Sequence, residues 1–246
     1  MSPSFIHFPS PEIVSSLDPR AEVDADYHWL LGSDNTDMED MIAAQSLTAA
    51  GSAPTHSAGY LTTATGGGNG LSTGIFLDSV CTIIGVFNRI DDTLGSGGSN
   101  NVVYMNSIEF DAGDYFGCDL RSDDSSKVDA LIGKGANGIE NTDGVTNDAT
   151  ADWYMFGLSL NGTNRKFYKG DSTTPVKSDL TMSHAFVPSS VNDIAIGNVA
   201  IPASFPKPVR CSEFIIINGV AKSFDDFDDI YARSVTRHSD RGITLA

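Results

Sequence analysis

Residues Asp152 to Asn218 hold the pattern that most narrows the folds open to this chain. The run Trp153-Tyr154-Met155-Phe156-Gly157-Leu158-Ser159-Leu160 is followed by Asn161-Gly162 and then by Arg165-Lys166-Phe167-Tyr168. Side chains alternate faces along a strand, so Phe156, Leu158 and Leu160 share one face. Asn-Gly between two such runs is the strongest short-range hairpin signal, because a tight turn matched to strand twist takes positive φ at its central residues. A polar linker then leads to a short strand, Asp193-Ile194-Ala195-Ile196-Gly197, and to a strongly apolar one, Ser212-Glu213-Phe214-Ile215-Ile216-Ile217. The stretch predicts antiparallel β structure.

The rest of the chain follows suit. Val80-Cys81-Thr82-Ile83-Ile84-Gly85-Val86-Phe87 reads as a core strand, and shorter strands are expected at Tyr27–Leu31, Ser46–Thr48, Val102–Met105, Ser107–Phe110, Tyr115–Leu120 and Val128–Ile132. Gly51–Gly74, centred on Gly66-Gly67-Gly68-Asn69-Gly70, lacks the Lys-Ser/Thr of a phosphate-binding loop and reads as a flexible connection. Gly133–Asp152 reads as another long polar connection. Helix periodicity is convincing only at Ser223–Tyr231. Ser223 is a good N-cap, acids crowd the first turn, and Phe224, Phe227, Ile230 and Tyr231 share a face. Gly242-Ile243-Thr244-Leu245 is a candidate last strand.

Pro3, Pro9, Pro11 and Pro19 rule out helix and central strand at the N-terminus, so residues 1–22 are expected to form an extended arm. Phe5, Ile6, Phe8, Ile13 and Val14 make that arm too apolar for a purely solvated tail. It packs either on its own domain or on a neighbouring subunit. Residues 23–246 show no linker between two cores and are expected to form one domain.

Lys and Arg number 15 against 32 Asp and Glu, a formal charge of -17. Such a surface repels phosphates, which makes nucleic acid and anionic membrane poor partners. No apolar run approaches the roughly 20 residues that a membrane-spanning helix needs. The first residues lack the basic-then-apolar pattern of a secretory signal, so synthesis in a cytoplasm is expected. The three cysteines, Cys81, Cys118 and Cys211, have no metal-ligand spacing and read as buried free thiols.

The order of these strands resembles the laminin-G-like group of concanavalin A-type lectin/glucanase jelly rolls, in the form found in phage and bacterial proteins. Tyr27-His28-Trp29-Leu30, Thr82–Phe87, Trp153–Phe156 through Asn161-Gly162 to Phe167-Tyr168, Ile194–Gly197, Glu213–Asn218, the helix ending at Tyr231 and the closing Arg241-Gly242-Ile243 carry the likeness. It implies an all-β fold, a two-sheet antiparallel jelly-roll sandwich with one short C-terminal helix, with loops or a concave face open to glycans. Function does not follow from such a fold.

Glycosidases of that group carry E-x-D-x-x-E, whose carboxylates must enter one cleft. Glu109-Phe110-Asp111-Ala112-Gly113-Asp114 is the nearest approach; its last acid is Asp, and Gly113 ends the strand before it. No catalytic residue is assigned. Asp143, Asn147 and Asp148, with Glu140 nearby, are hard-oxygen candidates for calcium, and Asp34, Asp37, Glu39 and Asp40 form another acidic loop. Neither has EF-hand spacing, and no other cofactor is expected. The five histidines, His7, His28, His56, His184 and His238, show no pairing at ligand spacing, and no nucleophile turn is present. Trp153, Tyr154 and Tyr168 are the candidates to stack on sugar rings if exposed.

Three functions fit. The first is a structural virion protein of a bacteriophage, a capsid decoration or tail appendage whose arm joins other virion subunits in a homo-oligomer. The second is a carbohydrate-binding module that recognises a host surface glycan. The third, and weakest, is a glycoside hydrolase.

Overall fold

The structure, a computed structural model, describes residues 21–32, 38, 40–90, 102–122, 127–146, 152–200 and 207–246. In chain order the first strands are β1 (Tyr27–Leu30), β2 (Thr48–Ala50), β3 (Thr55–Ser57), β4 (Tyr60–Thr62), β5 (Gly70–Ser72) and β6 (Val80–Arg89). Then come β7 (Val102–Asn106), β8 (Glu109–Asp111), β9 (Asp114–Phe116), β10 (Cys118–Ser122), β11 (Lys127–Gly133) and β12 (Ile139–Thr146). The last are β13 (Tyr154–Asn161), β14 (Asn164–Lys169), β15 (Val176–Thr181), β16 (Ala195–Gly197) and β17 (Val209–Asn218), before the helix α1 (Phe224–Ser239).

The strands form an eight-stranded sheet, β15-β14-β13-β6-β17-β4-β3 with β1 also on β17, and a seven-stranded sheet, β12-β11-β10-β7-β16-β5-β2. All pairings within them are antiparallel. The main core lies between the sheets. Ile83, Phe156 and Phe214 of one meet Tyr104, Leu120, Ile132 and Ile196 of the other. A second apolar layer covers the outer face of the larger sheet, where Phe227 and Ile230 of α1 pack on Ile84, Val86, Met155, Tyr168 and Ile215. β6 is therefore buried on both faces, which is why its sequence runs apolar without alternation. The result is a nearly all-β sandwich with one C-terminal helix.

The Asn161-Gly162 hairpin forms, with a different turn from the one expected. Asn161 stays in β13 opposite Asn164, and only Gly162 takes positive φ, at 59°. This is the arrangement of a type II′ turn, with Gly at its first central position. Three segments read as connections contain strands: β3, β4 and β5 in Gly51–Gly74, β12 after Gly133, and β15 in the polar linker. Edge and near-edge strands need few apolar residues, so their sequences look like loops. The helix starts at the expected cap, with Ser223 and Asp226 in a reciprocal capping box, and continues to Ser239. The expected last strand reduces to a parallel bridge between Leu245 and Trp153. Cys81, Cys118 and Cys211 are free and buried, as expected. Among the described residues no helix is long and apolar enough to cross a membrane.

Candidate functional site

The three aromatic candidates part company. Tyr154 points between the sheets; it is 7 % exposed, Lys169 Nζ sits 3.8 Å from its ring centre, and its hydroxyl donates to Asp152 Oδ2 at 3.2 Å. Tyr168 points outward, but α1 lies over it. Its ring stacks on Phe227 at 5.2 Å and its hydroxyl donates to Asp228 Oδ1 at 2.9 Å, so it is core. Burial and the Asp228 hydrogen bond push the Tyr168 phenol up. Trp153 is the one of the three left half-buried on the outer face of the larger sheet.

Around Trp153 the sheet register assembles a polar row. Tyr154 pairs with Phe87, which puts Trp153 beside Asn88; Asn88 pairs with Arg210, and Arg210 with Thr62. Tyr60 completes the patch, its ring 5.3 Å from Trp153 at an interplanar angle of 55°. The Arg210 guanidinium lies 5.4 Å from the Tyr60 ring centre and its Nη1 donates to Asn88 Oδ1 at 3.1 Å. Asn88 Nδ2 donates to the Asp152 carbonyl at 2.8 Å, and the Ala246 N–H donates to the Trp153 carbonyl at 2.9 Å. Backbone and side-chain bonds thus hold two half-buried rings and a guanidinium on one rigid face. An aromatic face flanked by fixed donors suits a ligand with an apolar face and polar edges. Tyr60 and Arg210 escaped sequence reading because Tyr60 sits in a Gly/Thr-rich stretch. The available signal was the alternation Val209-Arg210-Cys211, which turns Arg210 away from the core.

A second constellation looks like acid-base chemistry and is not placed for it. Although scattered in sequence, His28 and His238 meet at Glu213 under α1. Glu213 Oε1 accepts from His28 Nε2 at 2.8 Å and from Arg237 Nε at 2.6 Å, and its other oxygen accepts from Ser234 Oγ. His238 Nε2 meets Ser212 Oγ at 2.9 Å. Glu22 joins from before β1, pairing with Arg233 at 2.5 Å and Arg237 at 3.1 Å. Burial alone would raise the Glu213 carboxyl; the His28 hydrogen bond and the Arg237 charge outweigh it and hold the group well below the usual range. His28, Glu213, Ser212, Ser234 and His238 are all sealed at 0 % exposure, so no substrate reaches them. The cluster fastens α1 to β1 and β17.

Glu109, Asp111 and Asp114 lie in the two-stranded β8–β9 hairpin, outside both main sheets. Asp111 faces Asp114 across its turn, and Glu109 Oε2 accepts from Ser189 Oγ at 2.7 Å. Of the calcium candidates, Asp143 is a position of the edge strand β12, while Asn147 and Asp148 lie outside the described residues. Glu140 accepts from Lys134 Nζ and the Ser183 N–H, both at 3.1 Å. Asp40 caps a turn, accepting from the His28 and Ile42 N–H groups; Asp34, Asp37 and Glu39 are outside the described residues. Among the described residues no group of three or more His, Cys, Asp or Glu side chains is arranged to hold a metal ion. Phe5, Ile6, Phe8, Ile13 and Val14 of the expected assembly arm also lie outside the described residues, and Glu22, at its boundary, is buried.

No family model and no curated protein matches the chain. Solved structures do. The ligand-binding domain of botulinum neurotoxin serotype D, solved with N-acetylneuraminic acid, is 13% identical with a TM-score of 0.58, over 86% of this chain and 51% of that one. Trypanosoma rangeli sialidase in complex with sialic acid is 14% identical with a TM-score of 0.60, over 86% of this chain and 33% of that one. The chain thus spans between a third and a half of these proteins. Neither likeness supports the phage role expected from the sequence. At this identity the likeness shows a fold: the lectin-like β-sandwich.

Proposed function

We propose that this chain is a carbohydrate-binding module, and that a sugar face packs on Trp153 beside Tyr60 while Arg210, held in place by the buried Asn88, meets its hydroxyls. The observation that carries the reading is the half-buried Trp153–Tyr60 pair with Arg210 against it, on the outer face of a lectin-like sandwich. The neighbours that are named with sialic acid lend the class of ligand, a glycan, without fixing which one. Binding rather than turnover is proposed, because the one acid-base cluster described is closed to solvent.

The test is a glycan array followed by calorimetry on the hits, with Trp153→Ala alongside. At least a tenfold loss of affinity is expected in the variant, about 1.4 kcal/mol. A chain that binds no glycan, or a variant that binds as well as the parent, would sink the reading.

A further inference from the structure

Arg210 differs from most cations of this chain in the charge it keeps. Lys134, Lys166, Lys177, Lys222, Arg233 and Arg237 each pair with a carboxylate. Arg210 makes no ion pair among the described residues, and its contacts are neutral. Its Nη1 donates to Asn88 Oδ1 at 3.1 Å, and its guanidinium carbon lies 5.4 Å from the Tyr60 ring centre. Asp152, the acid next to Trp153, is engaged elsewhere: its Oδ2 accepts from the hydroxyl of Tyr154, whose side chain is buried. In a chain with 32 acidic and 15 basic residues, an outward guanidinium without a carboxylate is a local reversal of sign.

The group is also held still. Asn88 is buried and its own Nδ2 is tied to the Asp152 carbonyl at 2.8 Å, so the amide that grips Arg210 cannot turn freely. Neutral partners thus fix the guanidinium without cancelling its charge, and Asn88 uses only one of its donors. An exposed ion pair is ordinarily worth little, in part because two long side chains must be ordered to form it. Here one of the two is ordered in advance. Thr62, opposite Arg210 on β4, is half-buried on the same face, and its hydroxyl makes no hydrogen bond among the described residues.

Resting on the carbohydrate-binding reading, we propose that the glycan held at this face is acidic, with a carboxylate that Arg210 takes and a hydroxyl that Thr62 takes. The planar guanidinium fork matches a carboxylate, which is why it suits this anion better than a point charge would. The overall negative charge of the chain opposes an anion at long range. Salt screens that field beyond about 8 Å at physiological ionic strength, leaving the nearby guanidinium in control.

Calorimetry on the full chain with sialyllactose, trigalacturonate and a hyaluronan tetrasaccharide, each beside its carboxyl methyl ester, tests it. At least one acid should bind at least tenfold more tightly than its ester, which removes the charge and leaves the sugar. Arg210→Gln should bring that preference below about twofold. Trp153→Ala should weaken acid and ester together and preserve their ratio, and Thr62→Val should weaken both about threefold. Should Arg210→Gln fail to fold, the parent chain decides: raising NaCl from about 0.05 to about 0.5 M should weaken the acid severalfold and spare the ester. Equal binding of acid and ester, a preference that survives Arg210→Gln, or an acid indifferent to salt would overturn the proposal. So would inorganic sulfate bound as tightly as the acid, which would make this a simple anion site. A glycan array that returns only neutral sugars, bound through Trp153, would overturn the acid preference and leave the module standing; an array that returns nothing would end both.

Discussion

His28 Nε2 lies 2.8 Å from Glu213 Oε1, although 185 residues separate them in sequence. The Glu22 N–H donates to His28 Nδ1, which leaves the ring proton on Nε2, facing the carboxylate. Through this contact β1 and the long strand β17 share a buried charge with Arg237 of the helix. Glu213→Gln would leave Arg237 and the Ser234 hydroxyl without their anion in a sealed site. Breaking one side of a buried pair typically costs about 3–5 kcal/mol. Urea unfolding at pH 7 should show a loss of that order with an unchanged denaturant slope.

The same cluster sets the acid limb of the stability curve. The folded Glu213 pKa is depressed, so its contribution is present above the ordinary value of 4.5 and is lost as pH falls below it. Burial pushes the His238 imidazole below 6.5, so its contribution is complete above that pH and declines beneath it. The Ser212 hydroxyl donates to the Gly59 carbonyl at 2.6 Å, and His238 Nε2 lies 2.9 Å from the same oxygen. Stability followed from pH 8 to pH 3 should begin to fall near pH 6.5 and steepen below about 4.5. Glu213→Gln should flatten the lower part of that fall.

Gly157 decides how the helix sits. A Cβ on it would run into the Phe227 ring, which lies against the strand and stacks on Tyr168. Gly157→Ala is expected to destabilise by about 1–3 kcal/mol through overpacking. Combined with Phe227→Leu, which removes the obstructing ring, the loss should fall short of the sum of the two single losses. Additive losses in that double-mutant cycle would mean the two residues do not press on one another.

What could be read from the sequence follows from where apolar side chains go. β6, β13 and β17 announced themselves because both their faces are covered, and Ser223 announced the helix because its cap is local chemistry. β12 and β15 did not, since Glu140-Asn141-Thr142 and Lys177-Ser178-Asp179 lie at sheet edges and need little apolar content. The helix runs past Tyr231 through Ala232–Ser239, where Ser234 and His238 face the sheet as polar anchors rather than apolar ones. Tyr168 sat on the anticipated strand, yet no local pattern says that a helix from residues 224–239 returns to cover it. Buried polar clusters of this kind are assembled by tertiary contacts, so residues such as Glu213 read as ordinary strand polarity.

The two tryptophans give the platform its own reporter. Trp29 is fully buried against Tyr27 and Phe214, while Trp153 is half-buried beside Tyr60. Acrylamide should quench one component of the fluorescence and spare the other, and Trp153→Phe should remove the quenchable one. A bound glycan should protect that component. Equal quenching of both would mean that the outer face near Trp153 is closed.

Asp119 should behave in the opposite sense to Glu213. It is fully buried, and neither of its oxygens has a well-formed side-chain hydrogen bond among the described residues. Burial raises its carboxyl to about 7, against the opposing pull of Arg121, whose Nη1 is 3.9 Å away, and of the Leu131 backbone. A folded pKa above the unfolded one makes the neutral acid the stabilising form. That contribution is complete below the ordinary 3.8 and is lost as pH rises through about 7. A tenfold change in a protonation equilibrium is worth about 1.4 kcal/mol, so ionising Asp119 in place costs on the order of 2–4 kcal/mol. Asp119→Asn, a neutral replacement of the same shape, should therefore match the parent near pH 3 and exceed it in stability by a few kcal/mol at pH 8. Paired urea unfolding curves at the two pH values measure the difference. A variant that is less stable at pH 8 would mean the carboxylate has a partner that compensates its burial.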